Sequence, residues 1–246
     1  MKLLYSNILP LGTSENQQTI VDCFTSELKK SDRVDISVGY VSRASLEELD
    51  SLIENNGIKN VCLNIGMYFI EGMPEGSYHT AIKLNQKWKD SGIGEIRLVK
   101  TFKYHGKLYA FYKDGVAHSA IIGSANLGAI KLEASNRRQY EIASITDVPE
   151  EVMEITSFID SLKAPNISAN IADIEGMPLI HETNTALTGI ELVTTVPQSN
   201  VDFYKRCAAY ASFLLPLKVP AYAERHMDDG LSLIHISEPT RRSYIS

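Results

Sequence analysis

Residues 104–126 read YHGKLYAFYKDGVAHSAIIGSAN. Two apolar runs, 108–112 and 117–122, flank Lys113-Asp114-Gly115, and this pattern predicts a β-hairpin. His105 and Lys107 stand two apart just before the first run, so on an extended chain they share a face. Ser124 and Asn126 have the same spacing just after the second run. A hairpin brings its open ends together, which gathers an imidazole, an ammonium, a hydroxyl and an amide around one small space. That set suits an anionic phosphodiester. Lys107 and Asn126 can hold non-bridging oxygens and stabilise a pentacoordinate phosphorus. His105 can attack phosphorus or protonate a leaving oxygen.

Outward from the hairpin, strands and helices alternate. Residues 3–9 read as a strand, and 19–29 have helical spacing with Ile20, Phe24 and Leu28 on one face. Residues 33–41 and 61–65 read as strands, separated by a helix from an N-cap at Ser45 to residue 55, before Gly57. The glycine-rich stretch 66–78 suggests a loop over a site. A helix over 80–89, a strand over 96–100, a strand over 139–145 and a helix over 150–162 complete the pattern. The order implies an α/β fold, a mixed sheet flanked by helices. Residues 164–170 read as a linker, and 166–230 as the start of a second, C-terminal domain.

The motifs resemble the phospholipase D superfamily, whose signature is HxK, usually with an aspartate five residues on, followed by GSxN. His105, Lys107, Gly123, Ser124 and Asn126 stand at the matching positions. Either motif alone is common; their order within one hairpin makes the likeness specific. The aspartate position holds Tyr112, and Asp114 comes two residues late and belongs to the turn. The resemblance also implies a glutamate after GSxN, just ahead of the next strand. Glu141 fits that place; Glu133 is nearer but precedes no strand.

Within the superfamily, residues 1–165 resemble the catalytic domain of NgoFVII-type restriction endonucleases, through KLLYSNIL, VDISVGYVS, LNIGM and FKYHGKLYAFY. The resemblance implies cleavage of double-stranded DNA through a phosphohistidine intermediate, without metal or cofactor. His105 would be the nucleophile and Lys107, Ser124 and Asn126 the phosphate-binding groups, with Glu141 orienting an imidazole. One HxK motif per chain implies a homodimer with its site on the two-fold axis. The alternatives are a phosphatidyl transferase or phospholipase of the same superfamily, or an inactive DNA-binding module. The absence of a second HxK motif counts against the lipid reading.

Composition bounds these readings. The 246 residues are 44% apolar and 22% charged, as in globular proteins. Three scattered cysteines, Cys23, Cys62 and Cys207, argue against a disulfide framework. No apolar run is long enough to cross a membrane, so a cytoplasmic location is expected. The net charge of −6 excludes an indiscriminate nucleic-acid coat. The most basic short stretch is 97–114, and it offers Lys100 and Lys103 as DNA contacts. Arg137 and Arg138 are further candidates, though adjacent side chains cannot both face one phosphate. His118 reads as structural and His79 as a surface histidine; Tyr104 and Tyr68 either line the site or pack in the core. The acidic residues form no paired ligand pattern, so no metal is expected.

Residues 231–246 read LSLIHISEPTRRSYIS. The first eleven translate a transposase adapter used in sequencing libraries, and the closing Ile245-Ser246 fits the adapter beyond a variable index. The expectation is a non-native tail joined near Gly230, with the natural chain continuing differently.

Overall fold

The computed structural model describes residues 1–130 and 139–181. In chain order the elements are β1 Lys2–Tyr5, β2 Gln18–Thr19, α1 Ile20–Lys29, β3 Arg33–Val38, α2 Arg43–Asn56 and β4 Asn60–Ile65. Then come α3 Tyr68–Glu71, β5 Met73–Pro74, α4 Glu75–Asp90, β6 Gly94–Val99, β7 Leu108–Lys113 and β8 Val116–Gly123. The last are β9 Ile142–Thr146, α5 Pro149–Leu162, β10 Ser168–Asn170 and β11 Leu179–Ile180. Nine of the strands form one mixed sheet in the order β10-β6-β4-β3-β7-β8-β9-β1-β2. Strands β3, β4 and β6 run parallel, while β7, β8, β9 and β1 form successive antiparallel pairs beside them.

Alternation along β7 explains the layering. Tyr109 and Phe111 enter a core with Phe24, Leu28, Leu46, Leu49 and Trp88, which puts α1, α2 and α4 on one face. Leu108, Ala110 and Tyr112 point the other way, onto Val152, Ile155 and Ile159 of α5. Asp35, fully buried on β3, fastens the end of α5: its carboxylate takes Lys163 and Arg33, each at 2.6 Å. A buried carboxylate needs such partners to offset its lost hydration. Tyr112, standing where the superfamily signature has aspartate, lies under the Arg33 guanidinium at 4.3 Å.

Several boundaries differ from the sequence reading for identifiable reasons. Helix α2 is capped by Ser42, whose hydroxyl accepts the Ser45 N–H at 3.1 Å. Ser45 Oγ in turn accepts the Ser42 N–H at 2.9 Å, so Ser45 is the third helical residue of a capping box. A cap of this kind contributes about 1 kcal/mol. Gly57 closes the helix at φ 62°, a conformation that favours glycine. The stretch 66–78 holds α3, β5 and the first turn of α4 rather than one open loop. The segment read as a linker supplies β10, antiparallel to β6 at the sheet's edge. Its polar Asn170 is buried and accepts from Asn85 Nδ2 at 2.9 Å, so polar composition there marks a satisfied strand. The hairpin forms as expected, with Leu108 opposite Ile122 and Asp114 in the turn at φ 51°. Among the described residues no helix is long and apolar enough to cross a membrane.

Candidate active site

The start of β7, the end of β8, the start of β9 and the end of β3 meet at one edge of the sheet. Ser37 pairs with Leu108, Leu108 with Ile122 and Ile122 with Ser144, so the edge is a continuous register row. It is the carboxyl end of the parallel strands β3, β4 and β6, where open α/β sheets place their ligands. The Lys107 carbonyl accepts the Gly123 N–H at 3.3 Å, which closes the open end of the hairpin. Gly123 has no room for a side chain: a Cβ there would stand 2.5 Å from Ala143 Cα. Strands β8 and β9 therefore approach closely where the GSxN segment leaves the sheet.

Lys107 is buried, with Nζ donating to the His105 carbonyl at 2.6 Å. Burial pulls its ammonium below the ordinary lysine value, and the charge of Glu141 opposes that shift. The Ser124 hydroxyl donates to the Glu141 carboxylate and accepts the Ile142 N–H at 3.1 Å. Glu141 is anchored in turn by its N–H on Ser6 Oγ at 2.9 Å. Asn126 Oδ1 accepts the Tyr40 N–H at 3.1 Å, tying the end of the GSxN segment to the end of β3. The exposed His105 ring meets the Tyr40 ring edge-on, with centroids 5.6 Å apart.

His105, Lys107, Ser124, Asn126 and Glu141 thus converge, as read from the sequence. Their connections differ in one respect. The Glu141 carboxylate is engaged by Ser124, and no described side chain hydrogen-bonds the His105 ring nitrogens. Sequence reasoning missed Tyr40 and Glu71. The Tyr40 hydroxyl donates to Glu71 Oε2 at 2.5 Å, and Lys103 Nζ reaches Glu71 Oε1 at 3.0 Å. Tyr40 lies in the quoted VDISVGYVS segment and Glu71 in the glycine-rich stretch, but neither carried a chemical signal by spacing.

The basic stretch 97–114 is less free than its composition suggests. Arg97 pairs with Glu95 at 2.8 Å, Lys103 with Glu71, and Lys113 with Asp32 at 3.6 Å. Lys100 is exposed and has no ion pair among the described residues. Arg137, Arg138 and Glu133 lie outside the described residues. His118 bonds Ser31 Oγ at 2.9 Å and His79 faces Glu75 at 3.5 Å, both remote from this edge in their bonding. Tyr68 packs against Tyr40, whereas Tyr104 is buried against Phe158. Among the described residues no three His, Cys, Asp or Glu side chains converge as a metal site.

A family model described as the NgoFVII restriction endonuclease N-terminal PLD domain matches residues 18–176. No curated protein matches the chain. Among solved structures, the phosphatidylserine synthase of Haemophilus influenzae Rd KW20 is similar at 14% identity and a TM-score of 0.44. That alignment covers 84% of this chain and 45% of the synthase, so the chain spans less than half of that protein's length.

Proposed function

We propose, for a chain that belongs to the family of NgoFVII restriction endonuclease N-terminal PLD domains, metal-independent cleavage of double-stranded DNA through a phosphohistidine on His105. The observation that carries this reading is the meeting of His105-Lys107 and Ser124-Asn126 at one sheet edge, with the His105 ring open to solvent. A ring nitrogen of His105 forms the bond to phosphorus, and the bond from phosphorus to the leaving deoxyribose oxygen breaks. Lys107 and Asn126 Nδ2 offset the charge that builds on the non-bridging oxygens. A second imidazole, the His105 of another copy, gives its proton to the leaving oxygen. It then takes a proton from the water that cleaves the phosphorus–nitrogen bond, which regenerates both histidines. Ser124, fixed by Glu141, orients the phosphate-binding segment.

A plasmid-nicking assay in excess EDTA, with His105→Ala as control, tests the reading. Nicking by the wild-type chain and none by the variant is the expected result. Activity that vanishes in EDTA and returns with magnesium overturns the mechanism.

A further inference from the structure

Strand β3 runs out directly beneath His105. A Cβ built on Gly39 would lie 2.9 Å from His105 Cδ2, so the His105 ring rests against the Gly39 backbone and a side chain there would press on it. The next residue, Tyr40, uses each of its parts. Its N–H holds Asn126 at 3.1 Å. Its ring meets the His105 ring at 74° and the Tyr68 ring at 69°. Its hydroxyl donates to Glu71. Tyr68 is itself anchored, donating its hydroxyl to the Val41 carbonyl at 2.5 Å.

With no side-chain hydrogen bond on its nitrogens among the described residues, the exposed His105 ring takes its orientation from packing. Tyr40 is its one aromatic neighbour there. We propose that Tyr40 is a positioning residue for His105, clasped by Glu71, and that Lys103 serves as counter-ion to that clasp rather than as a DNA contact. This rests on the reading of His105 as the reacting imidazole. The protonation states agree with the geometry. The Tyr40 phenol is pushed up to about 12, by burial first and by Glu71 second, so it stays a donor. Glu71 is held below the usual carboxylate range by the Tyr40 hydroxyl, then by Lys103 against some burial, so it stays an acceptor. Charged groups facing the clasp are Lys103 from the β6–β7 loop and His105 itself.

An edge-on tyrosine restricts a neighbouring ring without taking up its nitrogens. A misplacement of about 1 Å at a reacting group costs roughly a hundredfold in rate. The full chain and four variants, Tyr40→Phe, Tyr40→Ala, Glu71→Gln and Lys103→Met, test the proposal. Two measurements are made: the kcat and KM for cleaving a labelled duplex, and the carbon-bound proton resonances of the His105 ring. In Tyr40→Ala the His105 resonance moves as the ring current disappears, and kcat falls about ten- to a hundredfold with KM unchanged. Tyr40→Phe keeps the resonance near its place and rescues most of the rate, and Glu71→Gln resembles it. Lys103→Met leaves KM and its salt dependence unchanged.

A His105 resonance identical in Tyr40→Ala and wild type overturns the proposal, whatever the rates. So does a resonance that moves while kcat stays at the wild-type value, or a Lys103→Met chain whose KM rises steeply with salt. If the wild-type chain cleaves no duplex, the nuclease reading fails by itself. The resonances of Tyr40→Ala and Tyr40→Phe then still decide whether Tyr40 sets the His105 ring.

Discussion

Asn126 Oδ1 accepts the backbone N–H of Tyr40 at 3.1 Å, which fixes which way the amide faces. The oxygen is taken up by the protein, and the NH2 group has no partner among the described residues. A donor left open beside His105 and Lys107 is what a phosphate oxygen requires.

Asn126→Asp therefore separates structure from chemistry. A carboxylate oxygen still accepts the Tyr40 N–H, so the melting temperature should stay close to wild type. The second oxygen replaces a donor with a negative charge, and cleavage should fall by about a hundred- to a thousandfold. Thermal melts and single-turnover rates read the two effects. A variant that cleaves normally removes Asn126 from the phosphate site.

Gly123→Ala is expected to damage fold and site together. Its methyl group would meet the Ala143 backbone at 2.5 Å, and neither strand can give way without losing ladder bonds. Overpacking of this kind costs about 1–3 kcal/mol. Because the strain falls between Ser124 and the strand that begins just after Glu141, activity should drop more than stability alone explains. Denaturant unfolding alongside activity checks this; unchanged midpoints would mean the strands are farther apart than described.

The hairpin was legible in the sequence because period-two alternation and a Lys-Asp-Gly turn are local signals. The meeting of His105-Lys107 with Ser124-Asn126 follows from the hairpin alone. Contacts made across the sheet order were not legible. Tyr40 reaches Glu71 over 31 positions and Asn126 over 86, and no spacing rule encodes such a pair. Strand β10 was hidden because only three residues pair and Asn170 satisfies its polarity inside the protein. Nor does a sequence reveal that Glu71 and Asp32 lie across from Lys103 and Lys113.

Acid should loosen the Tyr40–Glu71 contact before it unfolds the sheet. The Glu71 carboxyl is held below its ordinary value, chiefly by the Tyr40 hydroxyl. A depressed carboxyl contributes fully above the ordinary glutamate range, and its contribution is lost as pH falls through the lowered value. The Tyr40 ring resonances should hence be constant near neutrality and move only as the pH falls through the lowered Glu71 value, below the ordinary glutamate range. Glu71→Gln should abolish the movement. Tyr40 resonances that stay fixed down to the unfolding transition would count against the contact.

DNA binding by this chain should be weak, salt-sensitive and nearly indifferent to sequence. Phosphate contacts give affinity without base readout. Lys100 is exposed and free of ion pairs among the described residues, whereas Lys103 is held by Glu71. Lys100→Met should reduce the slope of log affinity against log salt by about one, and Lys103→Met should leave it alone. Competition between unrelated duplexes is the check; a strong preference for one short sequence would refute it.

The active unit should be a homodimer with one shared site. Two-step transfer through a histidine needs a second imidazole as acid and then base, and one chain offers a single His105-Lys107 motif. The other described candidates are engaged elsewhere. His118 bonds Ser31 and faces Glu27, and it stands five residues before Gly123, roughly 17 Å away along an extended strand. His79 lies on α4 against Glu75, and His181 bonds the same carboxylate at 2.8 Å. His105, by contrast, is exposed at the sheet edge, with its nitrogens unbonded among the described residues. Two-fold pairing is the commonest way for identical chains to associate, and it sets the same residue opposite itself. Each chain would then lend Lys107 and Asn126 to one composite phosphate pocket. Differently tagged wild-type and His105→Ala chains, mixed and purified as heterodimers, decide the matter. Independent sites predict half the wild-type rate. A shared site predicts loss of nearly all of it, because the nucleophile or its acid partner is missing from the only pocket in the dimer.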